Sequence, residues 1–179
     1  MYGPTLIGQL VILRAPKLEE AAAIISWFQD LEVTRTILRR FPISVEEERD
    51  WLASMSKAPN DVTWAIEASG RLVGVTGIHQ IDWISRHGTT GIIIGDKSAW
   101  GKGFGSETMA LRTAYAFREL NLHKLNSAFL EGNEASWKAM QKAGYRQVGR
   151  RREQSWRDGR WVDEILTEVL RSDWEQPEH

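Results

Sequence analysis

Cysteine is absent from this chain of 179 residues. That excludes disulfides, thiolate metal sites and a cysteine nucleophile for a covalent acyl intermediate. No apolar run approaches the roughly 20 residues that span a bilayer. The start, Met1-Tyr2-Gly3-Pro4, lacks a basic stretch leading into an apolar one. Neither sign of charge is in excess, 23 Lys+Arg standing against 24 Asp+Glu. There is thus no global electrostatic drive toward nucleic acid, and such a role would need a local patch. These absences lead us to expect a soluble cytoplasmic protein without a membrane partner. At 42% hydrophobic residues the chain can build a sizeable core, and we expect one domain over 1–179. Tryptophan is abundant, with nine residues, most of them expected in core or cleft walls.

Leu6 to Arg14 reads as one or two opening strands, and Leu18, Ala22, Ile25 and Phe28 carry helical spacing through Asp30. Phe41-Pro42-Ile43 interrupts that pattern before Ser44-Val45-Glu46-Glu47 supplies a capping box for a helix reaching Lys57. Val62 to Ala68 and Arg71 to Ile78 read as strands joined at Ser69-Gly70, and Thr89 to Ile94 as a third. A helix follows to Leu120, with Leu111, Ala114, Tyr115 and Phe117 expected on its buried side. Leu125 to Leu130 is a strand, Asn133 to Ala143 a helix stopped by Gly144. Tyr145 to Glu153 and Trp161 to Leu170 form strands around the turn signal Asp158-Gly159. Strands interleaved with helices indicate an α+β (mixed α/β) sheet.

The most informative stretch is Gly91 to Glu107, where an apolar strand gives way to Gly101-Lys102-Gly103-Phe104-Gly105-Ser106 and then a helix. Alternating glycines let backbone N–H groups approach a phosphate at a helix N-terminus. The plain alternative is a strand-to-helix turn. A P-loop would close with Gly-Lys-Ser or Gly-Lys-Thr, and a dinucleotide fingerprint would place its last glycine two residues beyond Gly105. Neither fits.

Gly101-x-Gly103-x-Gly105 between strand and helix resembles the acyl-CoA loop of the GNAT superfamily of N-acetyltransferases. The segment Asn133-Glu134-Ala135-Ser136 through Lys142-Ala143-Gly144-Tyr145 is similar to one in the RimJ/RimL-like branch, which acetylates ribosomal protein N-termini. The resemblance spans nearly the whole chain, although only these two motifs are specific. It implies the GNAT fold, with a mostly antiparallel twisted sheet, flanking helices and a splayed strand holding acyl-CoA. It also implies acetyl transfer from acetyl-CoA to a primary amine by direct attack in a ternary complex, without a metal. The expected acceptor is a protein N-terminal α-amine. A small amine (polyamine, aminoglycoside or amino acid) is the alternative, and a non-catalytic acyl-CoA sensor a third reading. A monomer or a homodimer is expected.

By the same resemblance Ile93, Ile94 and Gly95 would offer backbone groups to the pantetheine arm, and Gly101, Lys102, Gly103, Phe104, Gly105 and Ser106 would wrap the pyrophosphate. Asn133 and Ser136, three residues apart on a helix, would face the cofactor, although Asn133 could simply cap that helix. Many members carry a tyrosine seven residues after the asparagine as proton donor to the thiolate. Met140 stands there and cannot donate, which leaves Ser136 as the candidate acid. Trp100 replaces the frequent Arg or Gln at the start of the loop. His79, Asp82 and Glu32 are the candidate bases, since they fall near element ends expected to rim the acceptor cleft. Glu46-Glu47-Glu48 would suit a cationic acceptor or merely the helix dipole. Arg150-Arg151-Arg152 with Arg157 and Arg160 reads as a solvated sheet face or a basic rim. Trp83, Trp156 and Trp161 are candidates for core packing or a cleft wall.

Overall fold

The computed structural model describes residues 1–37, 41 and 43–175; Pro42 and its expected helix break lie outside them. The chain opens with β1 (Leu6–Ile7) and β2 (Ile12–Arg14), then α1 (Ala21–Phe28) and α2 (Leu31–Thr34). One helix was expected here. Asp30, extended at φ −91° and ψ 113°, accepts from the Glu32 amide and starts a second helix, as a short polar side chain does at an N-cap. The capping box before α3 (Val45–Met55) is formed, Ser44 and Glu47 each satisfying the other's amide.

β3 (Val62–Ala68) and β4 (Arg71–Asp82) make the expected hairpin, followed by β5 (His87–Ile94). α4 (Phe104–Arg118), β6 (Lys124–Leu130), α5 (Glu134–Lys142), β7 (Arg146–Arg157), β8 (Arg160–Leu170) and α6 (Arg171–Glu175) complete the chain. Both hairpin turns use paired positive φ values, Ser69-Gly70 and Asp158-Gly159, which match the strand twist. The sheet runs β1-β2-β3-β4-β5-β6-β8-β7, with β5–β6 parallel and its other pairs antiparallel. This is the mostly antiparallel α+β sheet expected. Among the described residues no helix is long and apolar enough to cross a membrane.

Two apolar layers cover the sheet. α4 and α5 pack over one cluster around Trp64, Ile78, Phe117 and Leu125, and α1 and α3 close a second with Leu52. The buried side of α4 carries Met109, Arg112, Thr113, Ala116 and Phe117, rotated from the stripe read off its apolar residues. The cause is Arg112, a charged side chain only 1% exposed.

α4 is also tied to the sheet edge. The Glu107 carboxylate accepts from the Gln9, Leu10 and Val11 amides at 2.8, 2.7 and 2.7 Å. Glu107→Ala strands these donors, of which only Val11 is buried. The expected loss is about 2 kcal/mol, read in a thermal melt as a fall of roughly 4–8 °C.

Candidate active site

β5 keeps its partner β4 as far as Ile94 but pairs with β6 only over His87, Gly88 and Thr89. Beyond Thr89 the strands part. Side chains staple the apex. Thr90 Oγ1 donates to the Asn126 carbonyl at 3.2 Å, Ser127 Oγ donates to the Thr90 carbonyl at 3.0 Å, and Thr90 Oγ1 lies 3.1 Å from the Tyr145 hydroxyl. Backbone groups along β5 face alternate edges. The Ile93 carbonyl faces β4, since a Cβ on Gly74 would meet it at 2.2 Å, whereas the Ile94 carbonyl accepts from the Trp100 indole at 2.8 Å. Ile92 and Ile94 therefore present their backbone to the gap, and Ile93 does not. Gly95 turns away as well: its amide donates to the Val73 carbonyl at 3.0 Å, and a Cβ there would meet Trp27 at 2.0 Å.

The glycine loop crosses the mouth of this gap. Gly101 (φ +74°) and Gly103 (φ +83°) are left-handed, and Gly103 is the N-cap of α4, with no side chain capping it. Among the described residues no side chain caps the first-turn amides, which suits an anion at a helix N-terminus. A Cβ on Gly101 would project into open space, and one on Gly105 would come no closer than 3.9 Å to Ile94. The loop is thus a cradle that side chains would fill, which fits a diphosphate. Gly101, Gly103, Phe104, Gly105 and Ser106 line the cleft, while Lys102 is exposed and outside the lining.

Asn133 caps α5, its Oδ1 accepting from the Ser136 amide at 3.1 Å, and its Nδ2 donates to the Thr36 carbonyl at 3.3 Å. Its side chain thus bridges two walls of the cleft. The Ser136 hydroxyl lines the cleft and bonds to none of the described residues. Met140 is 3% exposed and receives a hydrogen bond from Thr167 on its sulfur, so it is a packed core residue.

On the other sheet face, Gly77 of β4 sits opposite Gly91 of β5. Two glycines side by side leave a bare floor. His79, two residues beyond Gly77, folds back over it, because a Cβ on Gly77 would lie 2.5 Å from His79 Nε2. The other nitrogen, Nδ1, is 3.1 Å from Asp61 Oδ1, and Asp61 also holds the Gln80 amide at 3.2 Å. With Nδ1–H donating to Asp61, Nε2 keeps its lone pair toward the floor. Burial lowers the His79 pKa; Asp61 opposes this, while Arg112 and the Met1 ammonium reinforce it. The imidazole is neutral at pH 7. Phe28, Ile37, Trp51 and the buried Glu48 roof the floor, and the whole cleft encloses about 1240 Å³.

Most of the remaining candidates lie elsewhere. Asp82 closes the β4–β5 turn, accepting from the Ile84 and Ser85 amides and the Ser85 hydroxyl, and these bonds hold its carboxyl below the usual range. It does not line the cleft. Glu32 pairs with Lys97 at 2.9 Å. Arg150 pairs with Asp163 and Glu131 on the outer face, whereas Arg151 lines the cleft with its charge paired to the buried Glu164 at 2.8 Å. Trp83, Trp156 and Trp161 are exposed; the tryptophans that line the cleft are Trp51 and Trp100. Sequence reasoning missed Gly77, Gly91, Ile92 and Asp61. Among the described residues no group of three His, Cys, Asp or Glu could hold a metal.

The parted strand pair opens toward a glycine cradle at a helix N-terminus, an arrangement that fits a ligand carrying a diphosphate. Residues 11–146 match the family described as "Acetyltransferase (GNAT) domain", and the chain belongs to it. Members use acetyl-CoA, and this chain is an N-acetyltransferase. It is 25% identical over 175 residues to "Uncharacterized N-acetyltransferase p20" of Bacillus licheniformis, covering 95% of this chain and 98% of the relative. It is 27% identical over 116 residues to "Putative ribosomal N-acetyltransferase YdaF" of Bacillus subtilis, covering 65% and 63%. The fold matches spermidine N-acetyltransferase from Vibrio cholerae, solved with CoA and spermine, at a TM-score of 0.86 and 20% identity over 94% of this chain and all of that one (100%).

Proposed function

We propose that the protein acetylates the α-amine of a peptide or protein N-terminus, in the manner of the RimJ/RimL-like branch, and that His79 is the general base. The observation that carries this reading is His79 Nε2, lying over the Gly77–Gly91 floor beside the strand gap while Asp61 engages Nδ1. An α-amine titrates near 7.7–8.0 and a lysine or polyamine amine near 10.4. A histidine whose pKa is lowered is a weak base, matched to the stronger of these acids, the α-ammonium.

In the transfer, the amine nitrogen bonds to the acyl carbon and its proton passes to His79 Nε2. The carbon–sulfur bond breaks and its electron pair leaves as thiolate. Ser136, whose hydroxyl is uncommitted among the described residues, relays a proton to sulfur, taking one up from solvent as it gives one, and His79 returns its own proton to solvent. Ser136→Ala is expected to lower kcat about tenfold with acetyl-CoA affinity held within about twofold, the split expected of a group acting only in the transition state. A loss confined to affinity would make Ser136 a contact.

A small cationic amine is the second reading, favoured by Glu48, a buried carboxylate in the roof. Mass spectrometry of a panel of free and N-blocked peptides, polyamines and amino acids tests both. A gain of one acetyl group on free peptides but not on blocked ones supports the first, and modification of polyamines alone supports the second. Tight acetyl-CoA binding without CoA release from any acceptor would support a sensor.

A further inference from the structure

Arg112 is the one described residue that combines a full charge, 1% exposure and no carboxylate within ion-pair distance among the described residues. One guanidinium nitrogen, Nη1, donates to Thr76 Oγ1 and to the Gly91 carbonyl, each at 2.7 Å, and Thr76 Oγ1 donates to the same carbonyl at 2.8 Å. Nε has no partner among the described residues. A buried cation without a counter-charge costs several kcal/mol on general grounds. A core methionine or leucine would fill the same space without that cost. The contacts indicate what the charge faces: Thr76 and Gly91 both line the cleft, so Arg112 stands one hydrogen bond behind the floor on which His79 rests.

We propose that Arg112 is a positioning residue of the transfer site. Its guanidinium fixes the Gly91 carbonyl, which holds β5 on its parted course, and supplies the buried positive charge that balances the negative charge developing over the floor. This rests on the acyl-transfer reading of the cleft. When the amine nitrogen bonds to the acyl carbon and the carbon–sulfur bond breaks, charge accumulates first on the acyl oxygen and then on the departing sulfur. A cation already in place in a water-poor site lowers that barrier without reorganising.

The test compares Arg112→Gln and Arg112→Met, which remove the charge, with Arg112→Lys, which keeps it. Kinetics of CoA release are followed across pH, acetyl-CoA binding by calorimetry, the fold by thermal melting, and the His79 ring by NMR titration. Loss of the charge is expected to lower kcat about 10–100-fold while the acetyl-CoA Kd moves less than about threefold. The charged groups bearing on His79 are Asp61, the Met1 ammonium and Arg112, with Glu48 of α3 on the opposite wall. Removing Arg112's charge therefore raises the His79 pKa and moves the acid limb of the rate profile to higher pH; Arg112→Lys leaves the limb in place and recovers most of kcat.

Wild-type kcat in a folded Arg112→Gln overturns the inference. So do equal losses in the Gln and Lys variants with an unmoved His79 titration, which would make Arg112 a packing residue. If Arg112→Met does not fold, Arg112→Gln, which retains an N–H for the Gly91 carbonyl, carries the comparison. Should the wild-type protein release no CoA with any amine, the acyl-transfer reading falls and this inference with it. An inactive variant beside an active wild type cannot be confused with that result.

Discussion

Replacing His79 with glutamine is expected to cut kcat by roughly 10²–10⁴-fold, the usual contribution of a positioned general base, and to leave acetyl-CoA affinity within about threefold. Glutamine is similar in size and can still hydrogen-bond Asp61, so the cleft keeps its shape and loses its proton acceptor. The pH dependence carries the sign. Catalysis needs the neutral ring, so kcat/KM falls as pH drops through the His79 pKa. Burial has lowered that pKa from its ordinary value near 6.5, and the acid limb should lie below it. Asp61→Asn removes an influence that raises the pKa, so its limb moves further down. It also frees the ring to change tautomer, so its plateau rate should fall too. A stopped-time assay of CoA release from pH 4.5 to 9 checks both. A His79→Gln enzyme at full rate would remove His79 from the chemistry.

Local features were legible in the sequence because local chemistry determines them. The capping box at Ser44 and Glu47, the two hairpins and the glycine loop each depend on residues within a few positions of one another, and each is formed. The site's working parts depend on register. Whether Ile92 or Ile93 faces the strand gap is decided by how β5 pairs with β4, and an unbroken Ile-Ile-Ile run has no alternation from which to read that parity. Gly77 and Gly91 mean little singly; opposite each other beneath His79 they are a floor. His79 was a candidate beside Asp82 and Glu32, and only the fold separates them. Asp61 comes from 18 residues away to hold its ring, Asp82 serves its own turn and Glu32 serves Lys97. Arg112 was concealed for the opposite reason. Helical periodicity assigns charge to solvent, so a buried arginine rotates the inferred face of α4.

Gly103→Val is expected to weaken acetyl-CoA binding at least tenfold, about 1.4 kcal/mol or more, by two routes that can be separated. At φ +83° a residue with a Cβ is strained by roughly 1–2 kcal/mol, more for a branched one, and this Cβ would also press on Leu10 at 3.3 Å. Part of any loss would then be a distorted loop, visible as a lower melting temperature. Gly105→Val isolates the other route. Gly105 lies within α4, its φ is not positive, and its Cβ would meet nothing closer than 3.9 Å. The fold should tolerate the side chain, since valine is the better helix former of the two, yet it enters the open space before the first turn of α4. If the loop is the cradle, Gly105→Val loses donor affinity by a similar factor with its melt nearly unchanged. If only Gly103→Val loses affinity, the loop acts through its backbone shape and not as a surface against the ligand. Calorimetric titration of folded Gly103→Val and Gly105→Val proteins with acetyl-CoA decides among these, and unchanged affinity in both would move the donor's phosphates away from α4 altogether.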